Sequence, residues 1–136
     1  MRRLLLAYAM TVIGLFAIDF GWLMTMTSAF YKPRLGALLL ESPILSAAAL
    51  FYLLYCAGVL ALAVLPALQT GNWADALWRG AVLGLVAYGT YDLTNMATLK
   101  GWSWELAIVD MVWGTLLTGG TAAVAAAATL WFTKAS

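Results

Sequence analysis

Four long apolar stretches, separated by short segments rich in polar and turn-forming residues, set the pattern of this chain. A spanning helix needs about 20 mostly apolar residues. The windows at about 4–27, 44–65, 77–99 and 105–132 all reach that length. Pro66 is expected to close the second, because proline removes a helical donor and clashes with the preceding turn. The pattern predicts an all-α fold, an integral membrane four-helix bundle forming a single domain over residues 1–136. The opening MRRLLLAYAM has the paired arginines and apolar run of a signal peptide. That run continues past the usual length with no convincing small-residue cleavage site, so a retained first helix is expected.

The connections carry start signals. Asn72 followed by Asp75 suits a helix cap with a supporting carboxylate, and Ser103 with Glu105 repeats the pattern. Trp73, Trp78, Trp102 and Trp104 flank these starts, where indoles favour the headgroup level. The first loop, 28–43, is longer. It holds Lys32-Pro33-Arg34 and then Leu35 to Leu40, which is too short to span. An interfacial or re-entrant segment is expected there.

Against this apolar background, Asp19, Asp92 and Asp110 stand inside the first, third and fourth windows. A rise of about 1.5 Å per residue places all three in one layer, on the side of the midplane away from the termini. Each has a companion at i+3, where residues share a helix face: Trp22 for Asp19, Asn95 for Asp92 and Trp113 for Asp110. Tyr88 lies at i−4 from Asp92, and Tyr52 falls at a similar depth in the second helix. Indole N–H is a donor only, which suits a carboxylate. An ionised carboxylate at mid-bilayer costs at least about 2.5–3.5 kcal/mol, so the three should face inward. No Lys or Arg lies at that depth. The carboxylates must then be protonated, share protons, be donor-bonded or hold a cation. Buried polar groups also serve as interhelical glue, at under about 2 kcal/mol each. Gly80, Gly84, Tyr88 and Asp92 lie on one four-residue ridge, and the small pair allows close helix approach.

Composition strengthens the membrane reading. Of 136 residues, 65% are apolar and 10% charged, against about 45–50% and about 25% in soluble domains. A chain this size lacks the interior to hide that surface. The net charge of +1, without a basic block, points away from nucleic acid. The absence of histidine removes the commonest metal ligand, so no metal site is expected. Cys56, in an apolar stretch, reads as a buried thiol. Arg2, Arg3, Arg79 and Lys134 fall on the side of the termini, with Lys32, Arg34 and Lys100 on the other. The positive-inside rule therefore favours cytoplasmic termini.

The run AYGTYDLTNMATLKGW, followed by DMVWG, resembles the bacterial domain-of-unknown-function family 2177, as do the earlier segments DFGWL, FYKPRLGALL and FYLLYCAGVLALAVLPAL. The resemblance covers nearly the whole chain. It implies a four-helix inner-membrane protein and supplies no activity. Some relatives are encoded near enzymes that modify membrane fatty acids, which implies a link to lipid metabolism.

These observations leave three functions open. The first is binding or transport of a small hydrophobic or cationic ligand through the aspartates with Trp, Tyr and Asn. Small multidrug transporters are similar in having four short helices and an acidic residue in the first, but this sequence lacks their overall pattern. The second is an enzyme or accessory subunit in membrane-lipid modification, since paired carboxylates can do acid and base work. The third is a structural subunit of a larger membrane complex. The expected partners are the lipid bilayer and either further copies of the chain or a larger complex. The residues name no cofactor.

Overall fold

The structure, a computed structural model, describes residues 1–134, with Lys134 by its backbone alone. The side chain of Lys134, which enters the charge comparison, lies outside the described residues. Four helical rods follow one another: α1 (Arg2–Leu38), α2 (Leu45–Thr70), α3 (Trp73–Thr98) and α4 (Trp104–Lys134). They run up, down, up and down. α1, α2 and α4 are long and apolar enough to cross a membrane. α3 is also of spanning length, at 26 residues. It is more polar, but it packs antiparallel along α4 and so traverses the same depth.

α1 and α2 are longer than their apolar windows suggest, and the reason is shared. In α1 a widened π-turn, Thr27–Tyr31, precedes Pro33. In α2 another, Leu60–Val64, precedes Pro66. Proline cannot donate to the ladder, and its ring presses on the carbonyl four residues back. In both helices that carbonyl, of Ala29 or Leu62, belongs to the π-turn, where the wider spacing makes room. Pro66 therefore does not close α2, which continues to Thr70. Most of the expected first loop is likewise helical, and the turn at Gly36 (φ 44°) ends the regular part of α1. Only residues 39–44 remain as an irregular link.

The helix starts behave as the polar residues suggest. Asn72 Oδ1 accepts from the Ala74 amide at 3.0 Å, and Ser103 Oγ accepts from the Leu106 amide at 3.2 Å. Asp75 turns back to the preceding helix and accepts from the Thr70 hydroxyl at 2.6 Å.

Each aspartate ends a four-residue ridge of buried, mostly small side chains. On α1 the ridge is Ala7, Thr11, Leu15 and Asp19. On α3 it is Ala76, Gly80, Gly84, Tyr88 and Asp92, of which all but the half-buried Tyr88 are fully buried. On α4, Asp110 is followed by buried Gly114, Thr118, Ala122 and Ala126. The glycines set the α3–α4 spacing. A Cβ on Gly80 would lie 2.7 Å from the Thr118 carbonyl oxygen and 2.8 Å from the Ala122 Cβ. One on Gly84 would overlap the Gly114 carbonyl, and one on Gly114 would overlap the Tyr88 ring. Without a hydrophobic drive between helices in lipid, such close approach is what holds them.

The core is densest near the termini. There Val59, Leu60, Ala63, Val64 and Ala67 of α2 meet Ala7, Ala76, Ala122 and Ala126. Arg3 donates to the Leu68 carbonyl at 3.1 Å and ties α1 to the end of α2. Towards the other end the packing changes. The first half of α2, Leu45–Val59, leans on α1, while its second half packs against α3 and α4. The remote half holds a smaller cluster of Leu15, Cys56 and Leu117, bordered by Tyr52, Tyr55, Tyr88 and Trp113. Cys56 is buried, as its apolar surroundings suggest.

Candidate functional site

The remote half of the bundle gathers carboxylates and aromatic donors into one network. Asp19 on α1 is 8% exposed. It accepts from the Tyr52 hydroxyl of α2 at 2.5 Å and from the Trp113 indole of α4 at 3.3 Å. The Trp113 ring stacks on Trp22 of α1, with centroids 4.1 Å apart and planes 7° from parallel. Trp22 donates its indole N–H to the Tyr31 oxygen at 3.0 Å, and the Tyr31 hydroxyl donates to Asp110 of α4. The path therefore runs from Tyr52 through Asp19 to the stacked indoles, then through Tyr31 to Asp110.

The companions are exchanged relative to the helical-face expectation. Trp22 does not serve Asp19, and Trp113 does not serve Asp110. Trp113 reaches across to the carboxylate of α1, while Trp22 stays within α1 and reaches past the π-turn to Tyr31, the hydroxyl that serves Asp110 of α4. Packed helix axes lie about 8–10 Å apart, so the long Trp113 indole spans to its neighbour more readily than it folds back onto its own turn.

Tyr31 is the participant that the sequence pattern does not reveal, because it falls in the segment expected to be a loop. Nine residues separate it from Trp22. In an unbroken helix that is two and a half turns, which places the two on opposite faces. The π-turn at Thr27–Tyr31 changes the phase, and Tyr31 comes back over the site. A proline two residues beyond an aromatic within an otherwise helical run was the available signal. Beyond it, Arg34 pairs with Glu105 of α4 at 2.5 Å and stacks over Phe30 at 3.9 Å. These contacts fasten the far end of α1 to the start of α4.

Asp19, Trp22, Tyr31, Tyr52, Asp110 and Trp113 line a cavity of about 320 Å³, with Tyr88 also on its wall. No Lys or Arg lines it, and among the described residues neither aspartate takes part in an ion pair. Asp110 uses one oxygen for Tyr31, and the other accepts from no protein donor among the described residues.

Asp92 and Asn95 stand apart from this cavity. Asp92 is fully buried, and neither carboxylate oxygen has a hydrogen-bond partner. Asn95 is half-buried and does not supply one. Tyr88 faces Gly114 and the cavity, not Asp92. The group closest to serving Asp92 is Trp102, whose buried N–H is also unpaired and sits beside it without completing a bond. The Trp102 ring also lies edge-on to Tyr91, centroids 5.5 Å apart. Asp110 lies within electrostatic reach of both Asp19 and Asp92, so it is the middle of the three. Among the described residues no three acidic or cysteine side chains converge as metal ligands would.

A bundle of apolar helices that seals carboxylates and aromatic donors in one half of its length is a polytopic helical membrane protein. The chain belongs to the family described as predicted membrane protein (DUF2177), whose model matches residues 4–128. None of the curated proteins and none of the solved structures compared with it matches.

Proposed function

We propose that the chain binds, and carries within its membrane, a small hydrophobic or cationic ligand at the cavity between Asp19 and Asp110. One observation carries the reading. Two carboxylates without cationic partners share a cavity wall with a stacked indole pair. A cation between them would replace the missing counter-charge in a medium where charge is costly. Indole and phenol faces add cation–π attraction, worth about 2 kcal/mol or more when desolvated. The same walls suit an apolar ligand body. A purely anionic ligand would meet repulsion from both sides.

The membrane in this reading is a bacterial inner membrane. Cytoplasmic termini are supported by Arg2, Arg3, Arg79 and Lys134 against Lys32, Arg34 and Lys100. The surroundings are bilayer lipid and, for a bundle this small, further copies of the chain.

The test is a titration of the purified protein in nanodiscs with tetramethylammonium, followed by tryptophan fluorescence. A saturable response is expected in the wild type, because Trp22 and Trp113 line the cavity. It should be lost in the Asp19→Asn/Asp110→Asn double variant. No saturable response in the wild type, or an equal one in the double variant, removes the proposal. Altered membrane-lipid composition on deletion, without ligand binding, would move the site to lipid modification.

A further inference from the structure

A second cavity, of about 340 Å³, lies between α2 and α3 in the half that holds the aspartates. It exists because the two helices part there. Leu45–Val59 packs on α1, and α3 meets α2 mainly from Leu60 onward. Across the gap the Tyr55 and Tyr88 rings face each other edge-on, with centroids 6.5 Å apart. The walls are Phe51 and Tyr55 on one side and Ala87, Tyr88 and Tyr91 on the other. Asp110 of α4 forms the floor.

Three features give this groove a direction. Its rim is apolar and faces outward, with Phe51 47% and Tyr91 56% exposed. In a bilayer that rim meets hydrocarbon. Its floor is a carboxylate with one oxygen accepting from no protein donor among the described residues. Finally, Asp110 and Tyr88 line both this groove and the aspartate cavity. A ligand with its charge on Asp110 therefore has an apolar channel leading from that charge into lipid.

We propose that the α2–α3 groove holds the apolar tail of a membrane-resident cationic amphiphile whose charged head rests on Asp110. This rests on the aspartate cavity being a cation site. It narrows the ligand from any small cation to one with an alkyl or aryl tail, and it makes the bilayer the source of the ligand. The floor selects the charge: a fatty-acid carboxylate or a phosphate headgroup would meet Asp110 as a like charge, whereas an ammonium complements it. The aromatic walls select the tail, since pockets of this size and lining suit apolar bodies.

The experiment compares tetramethylammonium with hexyltrimethylammonium by equilibrium dialysis against the protein in phosphatidylcholine nanodiscs, subtracting empty nanodiscs. Each methylene moved from water into the groove is worth about fourfold in affinity. Hexyltrimethylammonium should thus bind the wild type at least tenfold more tightly, on the order of the first few buried methylenes. In Ala87→Phe, which fills the groove, the ratio should fall to within about twofold. Phe51→Ala, which removes one wall at a half-exposed position, should lower the ratio as well. A wild-type ratio near one, or a ratio unchanged in both variants, overturns the groove while leaving the head site standing. Failure of tetramethylammonium to bind the wild type overturns the head site, and the groove with it.

Discussion

The Tyr31 hydroxyl of α1 donates to the Asp110 carboxylate of α4, 79 positions away, and the same oxygen accepts from Trp22. One phenol thus joins the end of the first helix to the start of the last, over the mouth of the cavity. Tyr31→Phe keeps the ring and removes both bonds. A hydrogen bond to a charged group is worth about 1.5–3 kcal/mol, and a neutral one about 1 kcal/mol. The unfolding free energy in detergent should fall by about 1–3 kcal/mol. Tryptophan emission should shift as the Trp22 N–H loses its acceptor. An unchanged melting temperature would mean that the π-turn holds the segment without this bond.

The Arg34–Glu105 pair joins the same two helices with a different expectation. Its side chains are 30% and 63% exposed. Exposed pairs are worth about 0–1 kcal/mol and are screened by salt. Glu105→Gln should cost less than about 1 kcal/mol, with the difference vanishing at high ionic strength. A larger, salt-independent loss would show that the pair is shielded in the membrane interface.

Gly114 and Gly120 test whether close approach of α3 and α4 builds the site. A Cβ on Gly114 would overlap the Tyr88 ring, whereas one on Gly120 meets nothing within 4 Å. Overpacking typically costs about 1–3 kcal/mol. Gly114→Ala should cost that much and displace Tyr88 from both cavities. Gly120→Ala should be neutral or mildly stabilising, since alanine is the better helix former. Equal effects at the two positions would contradict the packing described for this helix pair.

Much of this architecture is written in spacing. The four apolar windows mark the helices, and the four-residue ridge of Gly80, Gly84, Tyr88 and Asp92 is the face that α3 turns to α4. That the aspartates fall in the half of the bundle away from the termini follows from counting residues, because a helix has a fixed rise. What counting misses depends on phase and reach. Tyr31 joins the site only because a π-turn rotates it back, and Pro33 and Pro66 lie within helices only because such turns precede them. The partner of Trp113 is on another helix and that of Trp22 lies beyond the π-turn of its own, neither of which same-face spacing encodes. Trp102 looks like an interface anchor by composition, and nothing in its spacing shows that its indole N–H is buried beside Asp92.

Asp19 and Asp92 are both buried, and their substitutions should have opposite signs. Asp19 accepts from Tyr52 and Trp113. Asp19→Asn weakens both bonds and turns an amide donor towards other donors, so stability should fall by about 1–3 kcal/mol. Asp92 is fully buried with both oxygens unpartnered. A buried polar group without a hydrogen bond costs about 1–3 kcal/mol by protein mutational measures, and more if it is charged. Removing that burden with a side chain of similar size should therefore help. Asp92→Leu should raise the unfolding free energy by about 1–3 kcal/mol, and Asp92→Asn should at least preserve it. Thermal unfolding of the three variants side by side, in one detergent, reads the signs directly. A residue kept against its own stability cost is retained for something other than the fold. Loss of ligand binding in a stable Asp92→Asn would thus place Asp92 in the function through its electrostatic contact with Asp110. If both Asp92 variants prove less stable than the wild type, the carboxylate is bonded in the membrane and Asp92 is interhelical glue.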